Sequence, residues 1–186
     1  KPIGRRARNL AGGKSGKRVV LFCATESGVV KSADGGATWT DANAGLSNAV
    51  EIGMAHNQTS VVWAAQNAGK AAVWRSEDEG KTWKATFDMG SNVDKSWVQL
   101  EAKWGYNIED KGLTVSEIDS DMAIVTTQGD IYITRDGGKR WVQSQTEFVT
   151  PHVYRSIGLE CTSCWRYYFS PWDRNMRYVA FTDIGF

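Results

Sequence analysis

Apolar and polar positions alternate with a period of two over several short stretches, among them "RVVLFCAT", "VVWAA", "AAVWRS", "AIVTT" and "DIYIT". Stretches of four to eight residues with this period, rich in Val, Ile, Thr and aromatics, predict β-strands. Continuous helical spacing is scarce, so the pattern predicts an all-β chain. The strands also recur in a fixed order. "LFCATESGVVKS", "VWAAQNAGKAAVWRS" and "IVTTQGDIYIT" each read strand, turn, strand, and "VEIGMA" and "LTVSEI" predict a further strand upstream of the second and third.

Each unit runs into the same eight-residue turn: "SADGGATW" (Ser32 to Trp39), "SEDEGKTW" (Ser76 to Trp83) and, more loosely, "TRDGGKRW" (Thr134 to Trp141). A carboxylate in a tight turn accepts hydrogen bonds from main-chain N–H groups, glycine supplies positive φ, and tryptophan covers the turn with a large apolar face. The expected turn-fixing residues are therefore Ser32, Asp34, Gly36 and Trp39, then Ser76, Asp78, Gly80 and Trp83, and in the third copy Asp136, Gly138 and Trp141. Four short strands per unit, A to D, with this turn between C and D, predict the antiparallel blades of a β-propeller.

The pattern Ser-x-Asp-x-Gly-x-Thr-Trp resembles the Asp-box (BNR) repeat of sialidases, xyloglucan-cleaving glycosidases, sortilin-type receptors and photosystem assembly factors. The first two copies match every fixed position, while the third has Thr134 for Ser and Arg140 for Thr. "CWRYYFSPWDRNMRYVAFTDIGF" predicts the first two strands of a fourth blade, whose own turn would begin beyond Phe186. The expected organisation is a basic N-terminal arm over 1–17, a partial blade over 18–49, a blade with a long aromatic loop over 50–112, a blade with its loop over 113–160, and the start of a blade over 161–186. About three and a half blades leave a ring open, so the remaining half of the propeller is an expected partner, as a covalent continuation or a separate chain.

In such a blade the A–B and C–D turns share one rim, and the B–C and D–A connections share the other. The resemblance implies that the second rim is the working one, and long loops there are where a scaffold carries function. Those loops hold Trp97, Trp104 and Tyr106, then His152, Tyr154 and Arg155, with Glu26 on a B–C turn; these are candidate substrate-binding residues. "YVAFTDIGF" resembles the Tyr-x-x-Thr-Asp-x-Gly-Gly segment of xyloglucan-cleaving propeller glycosidases, with Phe186 in place of the second Gly. The resemblance implies a catalytic Asp183, acting as general base opposite a second carboxylate from the other half of the propeller, in a glycoside hydrolase that cleaves a glycan substrate. The other reading from the same resemblance is a non-catalytic propeller that binds a protein partner.

Composition narrows the classes further. With 41% hydrophobic and 23% charged residues the chain has globular composition, and nine tryptophans and nineteen glycines against three prolines suit aromatic strands joined by tight turns. A net charge of +1 argues against a dedicated nucleic-acid surface, which needs clustered Lys and Arg. No apolar run approaches the roughly 18 residues of a membrane-spanning helix. "ECTSCW" places Cys161 and Cys164 in a Cys-x-x-Cys without the further ligands of a zinc site or the His of a haem site, which leaves a local disulfide as the reading. No metal or cofactor is expected. The expected location is extracytoplasmic, secreted or periplasmic.

Overall fold

The computed structural model describes residues 6–44, 46, 49–66, 72–97, 100, 112–127, 130–158 and 164–181. The first sheet is β1 (Ala7–Ser15), β2 (Arg18–Thr25), β3 (Gly28–Ser32) and β4 (Thr40–Asp41). The second is β5 (Ala49–Gly53), β6 (Val62–Gln66), β7 (Val73–Ser76) and β8 (Lys84–Ala85); the third is β9 (Gly112–Val115), β10 (Ala123–Thr126), β11 (Ile131–Thr134) and β12 (Val142–Gln143). Each is a four-stranded antiparallel meander in chain order. Two hairpins follow, β13 (Thr146–Thr150) with β14 (Val153–Ser156), and β15 (Cys164–Phe169) with β16 (Arg177–Phe181).

The first strand corrects the expectation that the basic arm over 1–17 stands apart from the first blade. Residues 7–15 form β1 and complete the first sheet, pairing with β2 from Ala7↔Thr25 to Ser15↔Arg18. Its sequence hides this because backbone pairing, rather than side-chain alternation, makes the strand. Leu10 is 61% exposed, and the strand lies where only glycine fits: a Cβ on Gly13 would stand 2.7 Å from the His56 carbonyl oxygen. The Lys14 N–H donates to that same carbonyl at 2.7 Å, and the His56 N–H donates to the Glu117 carbonyl at 2.8 Å. His56 thus ties the inner ends of three consecutive sheets through its main chain.

The cores lie between sheets. Val20, Phe22, Ala24 and Val29 of the first sheet pack on Ile52, Met54, Val62 and Ala64 of the second. The alternate residues Val61, Trp63 and Val73 pack on Ala123, Val125, Tyr132 and Trp141 of the third. A strand buried on both faces reads as a continuous apolar run, and Val61 to Ala65 are all buried. Trp63 and Trp141 meet edge to face at 5.9 Å between ring centroids, and Phe87 adds edge contacts to Trp141 and Tyr132.

The repeated turn fastens itself and then its neighbour. Within the second copy, the Ser76 hydroxyl accepts the Gly80 N–H at 2.8 Å and donates to Asp78 at 2.8 Å, and Asp78 accepts the Thr82 N–H and hydroxyl at 2.8 and 2.6 Å. The first copy repeats all four bonds. In the third, Thr134 takes the part of Ser, whereas Arg140 keeps only the main-chain bond to Asp136 and turns its guanidinium to Asp94.

Tryptophan was expected to cover its own turn, and the structure corrects this for two copies of three. The Trp83 indole N–H donates to the Ala42 carbonyl of the preceding sheet at 2.8 Å, and Trp141 donates to the Thr86 carbonyl at 2.7 Å. Ala42 and Thr86 each stand three residues after the tryptophan of their own turn. Trp39, on the outer face of the first sheet, donates to its own Gly36 carbonyl at 3.0 Å. The second glycine of the motif follows the same division. A Cβ on Gly80 would lie 2.9 Å from Ala42 Cβ and one on Gly138 2.6 Å from Thr86 Cβ, whereas on Gly36 the nearest atom is Leu21 Cδ1 at 3.6 Å.

Replacing Trp83 or Trp141 by Phe removes a donor from a sheet boundary and is expected to cost about 1–3 kcal/mol in urea unfolding, whereas Trp39→Phe costs less than about 0.5 kcal/mol. The acid limb of stability has its own test. The Thr82 hydroxyl and N–H hold the Asp78 carboxyl down at about 2, and the Arg18 guanidinium, with Lys31, holds Glu79 at about 2. Both groups have folded values below their unfolded ones, so their stabilisation is present above pH ~4 and is lost as pH falls toward 2. Glu79→Gln is expected to lower stability at neutral pH and to flatten the decline between pH 4 and 2.

Candidate functional site

The two rims separate as the strand order requires. The Glu79 N–H donates to the Ser60 carbonyl at 2.9 Å and the Gly137 N–H to the Asp121 carbonyl at 3.0 Å, which joins A–B and C–D turns on one rim. On the other, the Asn43 side-chain amide, just past β4, donates to the Ser27 carbonyl in the β2–β3 turn at 3.3 Å.

Glu26 sits exposed on that β2–β3 turn. The loop after β8 runs beside β12: the Asp94 N–H donates to the Trp141 carbonyl, the Trp141 N–H donates to the Asn92 carbonyl, both at 2.8 Å, and Val93 pairs with Trp141 in parallel. This course carries Trp97, half-buried, to Thr146 at the start of β13, where its N–H meets the Thr146 hydroxyl at 3.5 Å. The remaining described candidates lie on the β13–β14 hairpin. His152 occupies its turn with φ 63°, Tyr154 packs edge to face on Phe148 with ring centroids 5.8 Å apart, and Arg155 pairs with Glu147 across the two strands. Trp97, His152, Tyr154 and Arg155 therefore belong to one loop cluster beside the third sheet, while Glu26 is on the first sheet with the second between them.

Asp183, Trp104, Tyr106 and Cys161 fall outside the described residues, and so does the expected disulfide between Cys161 and Cys164. Among the described residues Cys23 is a free, buried thiol whose ionisation burial pushes up. No cluster of three or more metal-ligating side chains occurs among them.

Two carboxylates near the B–C ends of the strands have contrasting environments. Asp130, buried, is fixed in the β10–β11 turn, where its N–H donates to the Thr127 hydroxyl at 3.1 Å and its carboxylate accepts the Tyr132 hydroxyl at 3.0 Å. Glu51 stands on the inner strand β5, opposite Ala65 and two residues from the strand end at Ala49↔Gln66. Burial pushes its carboxyl above the usual carboxylate range. The register places Asn9 of β1 and Gly112 of β9 at the equivalent level, opposite Ala24 and Thr126. Asn9 uses its side-chain oxygen to accept the Ile52 N–H at 3.1 Å, and among the described residues at this level of the three inner strands Glu51 is the carboxylate. Reading by loop length passed over it. The available signal was an acidic residue between two apolar ones, "VEI", in the strand predicted upstream of the second unit.

A raised carboxyl stays protonated to higher pH, which is what a general acid requires. The unfolded chain then releases this proton at lower pH than the folded one, so wild-type stability falls as pH rises from about 4.5 through the folded value. The stability of Glu51→Gln relative to wild type is expected to increase across that window, as read by urea unfolding at pH 4 and pH 7.

No protein-family model matches the chain, and no curated protein matches it. Solved structures do. YCF48 from Cyanidioschyzon merolae is similar with a TM-score of 0.50 and 18% identity, over 80% of this chain and 40% of that one. The GH74 xyloglucanase from Xanthomonas campestris is similar with a TM-score of 0.59 and 17% identity, over 78% of this chain and 25% of that one. A chain of a nidogen/laminin complex is similar with a TM-score of 0.50 and 14% identity, over 72% of this chain and 46% of that one. This chain therefore spans less than half the length of each. At such identities the likeness establishes the fold, an all-β array of propeller blades in an incomplete ring.

Proposed function

We propose that the chain is part of a carbohydrate-active propeller, a glycoside hydrolase that cleaves a polysaccharide or oligosaccharide with two carboxylates outside the cytoplasm. The observation that supports this reading is Glu51, a part-buried carboxylate with a raised ionisation on the inner strand of the second sheet. In this reading Glu51 is the general acid. Its proton passes to the glycosidic oxygen as the bond to the anomeric carbon breaks, and Asp183, to which the resemblance gives the base role, either activates the water that attacks that carbon or attacks it itself and is then displaced by water. A carboxylate separation of roughly 6.5–9.5 Å would mean inversion and about 5 Å retention. Trp97 and Tyr154 offer aromatic faces on the same rim to the apolar faces of sugar rings, and the rest of the propeller closes the cleft around the glycan.

A second reading is a non-catalytic propeller that binds a protein. It is favoured by the β13–β14 hairpin, where Phe148, Val149, Val153 and nearby Ile157 are exposed together, an apolar group of the kind that marks contact surfaces.

Reducing-end release from soluble β-glucans by the intact protein separates the two. Glu51→Gln and Asp183→Asn are each expected to lower turnover by about 10²-fold or more, and Glu51→Gln is also expected to remove the alkaline limb of the pH–rate profile. Wild-type protein without turnover on any glycan tested, or a Glu51→Gln variant with unchanged turnover and pH profile, overturns the assignment of Glu51.

A further inference from the structure

Two of the three inner strands carry the same irregularity. In β1 the register passes from Ala7↔Thr25 to Asn9↔Ala24, and in β5 from Ala49↔Gln66 to Glu51↔Ala65, so each strand holds one residue more than its partner, at positions 8 and 50. The third inner strand, β9, pairs with β10 without a shift. A bulge is therefore not needed to complete such a sheet, and bulges commonly serve to re-aim a side chain.

Consecutive residues of the first bulge hold the second. The Arg8 guanidinium donates to the Ala49 carbonyl at 3.2 Å, and the Asn9 side-chain oxygen accepts the Ile52 N–H at 3.1 Å. Neither bond serves pairing within a sheet, since both cross from the first sheet to the second. The Ala49 carbonyl lies in the peptide plane that enters the bulge, and the Ile52 N–H lies in the plane that follows Glu51. Peptide groups are planar, so fixing these two leaves the bulge little freedom to turn, and the direction in which the Glu51 side chain leaves the strand is fixed with them. The residues set against this stretch are Arg8 and Asn9 of β1, Ala24 of β2, Ala65 of β6 and Val115 of β9, and of these Arg8 is the charged one.

We propose that Asn9 is a positioning residue for Glu51, aiming its carboxyl into the inner layer through the Ile52 N–H, with Arg8 steadying the other side of the bulge. An amide suits this place, because its oxygen accepts the N–H while it adds no charge to the layer it shares with a carboxyl. The consequence for catalysis rests on the reading of Glu51 as the general acid, whereas the aiming itself does not.

Titration of the Glu51 carboxyl carbon by NMR in the intact protein, with the signal assigned by Glu51→Gln, tests the aiming without substrate. Asn9→Leu keeps the side-chain volume and removes the acceptor. The Glu51 midpoint, which burial raises in the wild type, is expected to fall toward the ordinary carboxylate value as the side chain swings toward water. Asn9→Asp keeps an oxygen for the Ile52 N–H, and the midpoint is expected to stay at or above that of the wild type. Thermal unfolding checks each variant, and Asn9→Ala is read in the same way as Asn9→Leu should leucine not be accommodated. On soluble β-glucan, Asn9→Leu is expected to lower kcat roughly tenfold or more with KM within about twofold, and Asn9→Asp to retain kcat. A Glu51 midpoint unchanged in the folded Leu and Ala variants overturns the proposal, and so does an equal fall in Asn9→Asp, which marks a loss of packing. A lowered midpoint in Asn9→Leu beside unchanged turnover in Glu51→Gln upholds the aiming and overturns the catalytic reading, so the two failures are told apart.

Discussion

The hydrogen bond from a tryptophan indole to a main-chain carbonyl of the preceding sheet is the constraint from which the rest of this architecture follows. A four-stranded sheet of this size cannot bury both faces by itself, so its stability depends on being held against its neighbours at a fixed angle and height. Trp83 and Trp141 set both, because an indole N–H has one direction and the acceptor lies three residues past the preceding tryptophan. Gly80 and Gly138 then admit the end of the preceding sheet at Ala42 and Thr86, which a Cβ would crowd. The serine and aspartate act one level down. They fix the turn from which Trp83 and Trp141 reach the preceding sheet.

This hierarchy explains what the sequence disclosed. The serine or threonine and the aspartate of each turn were legible because their roles are local: they hydrogen-bond within four positions of themselves, and the Ser/Thr–Asp and Ser/Thr–Gly contacts repeat in all three copies. The strands after the turns were legible because both faces of β6 are buried, which leaves an apolar run. The inner strand β1 was not legible, since its contacts are main-chain bonds and close approaches at Gly13, and neither leaves a periodic signature. The reach of tryptophan across a sheet boundary was also hidden, because a residue that covers its own turn and one that grips the next sheet have the same sequence. Only the difference between Trp39 and its two counterparts exposes the second role.

The candidate site was legible by rim but less so by residue. Loop length pointed to the cluster of Trp97 with the β13–β14 hairpin, and the chain does bring these together through Thr146. Within that cluster Arg155 and Tyr154 are engaged by hairpin neighbours, Glu147 and Phe148. Glu51, whose ionisation burial pushes up, lies on an inner strand instead of a loop. Its environment is a product of packing three sheets around it, a quantity that no local pattern encodes. Asp130 makes the converse point, since it looks equally available in sequence and is committed to its own turn and to Tyr132.

The two rims therefore vary by different physical routes. On the B–C rim the connections vary in length, so added chain can build walls and present aromatic side chains without disturbing the sheets. The opposite rim has no such freedom, because its turns carry the tryptophan contacts and an insertion there would misplace the next sheet. Variation on that rim comes instead from single residues of the turn: Glu79 pairs with Arg18 and Lys31 across the first boundary, whereas at the second boundary Gly137 leaves that space to the ion pair of Arg75 with Asp121. A repeat protein can in this way keep one fastening geometry at every boundary and still differentiate the space between its sheets, by a single residue that the fastening does not use.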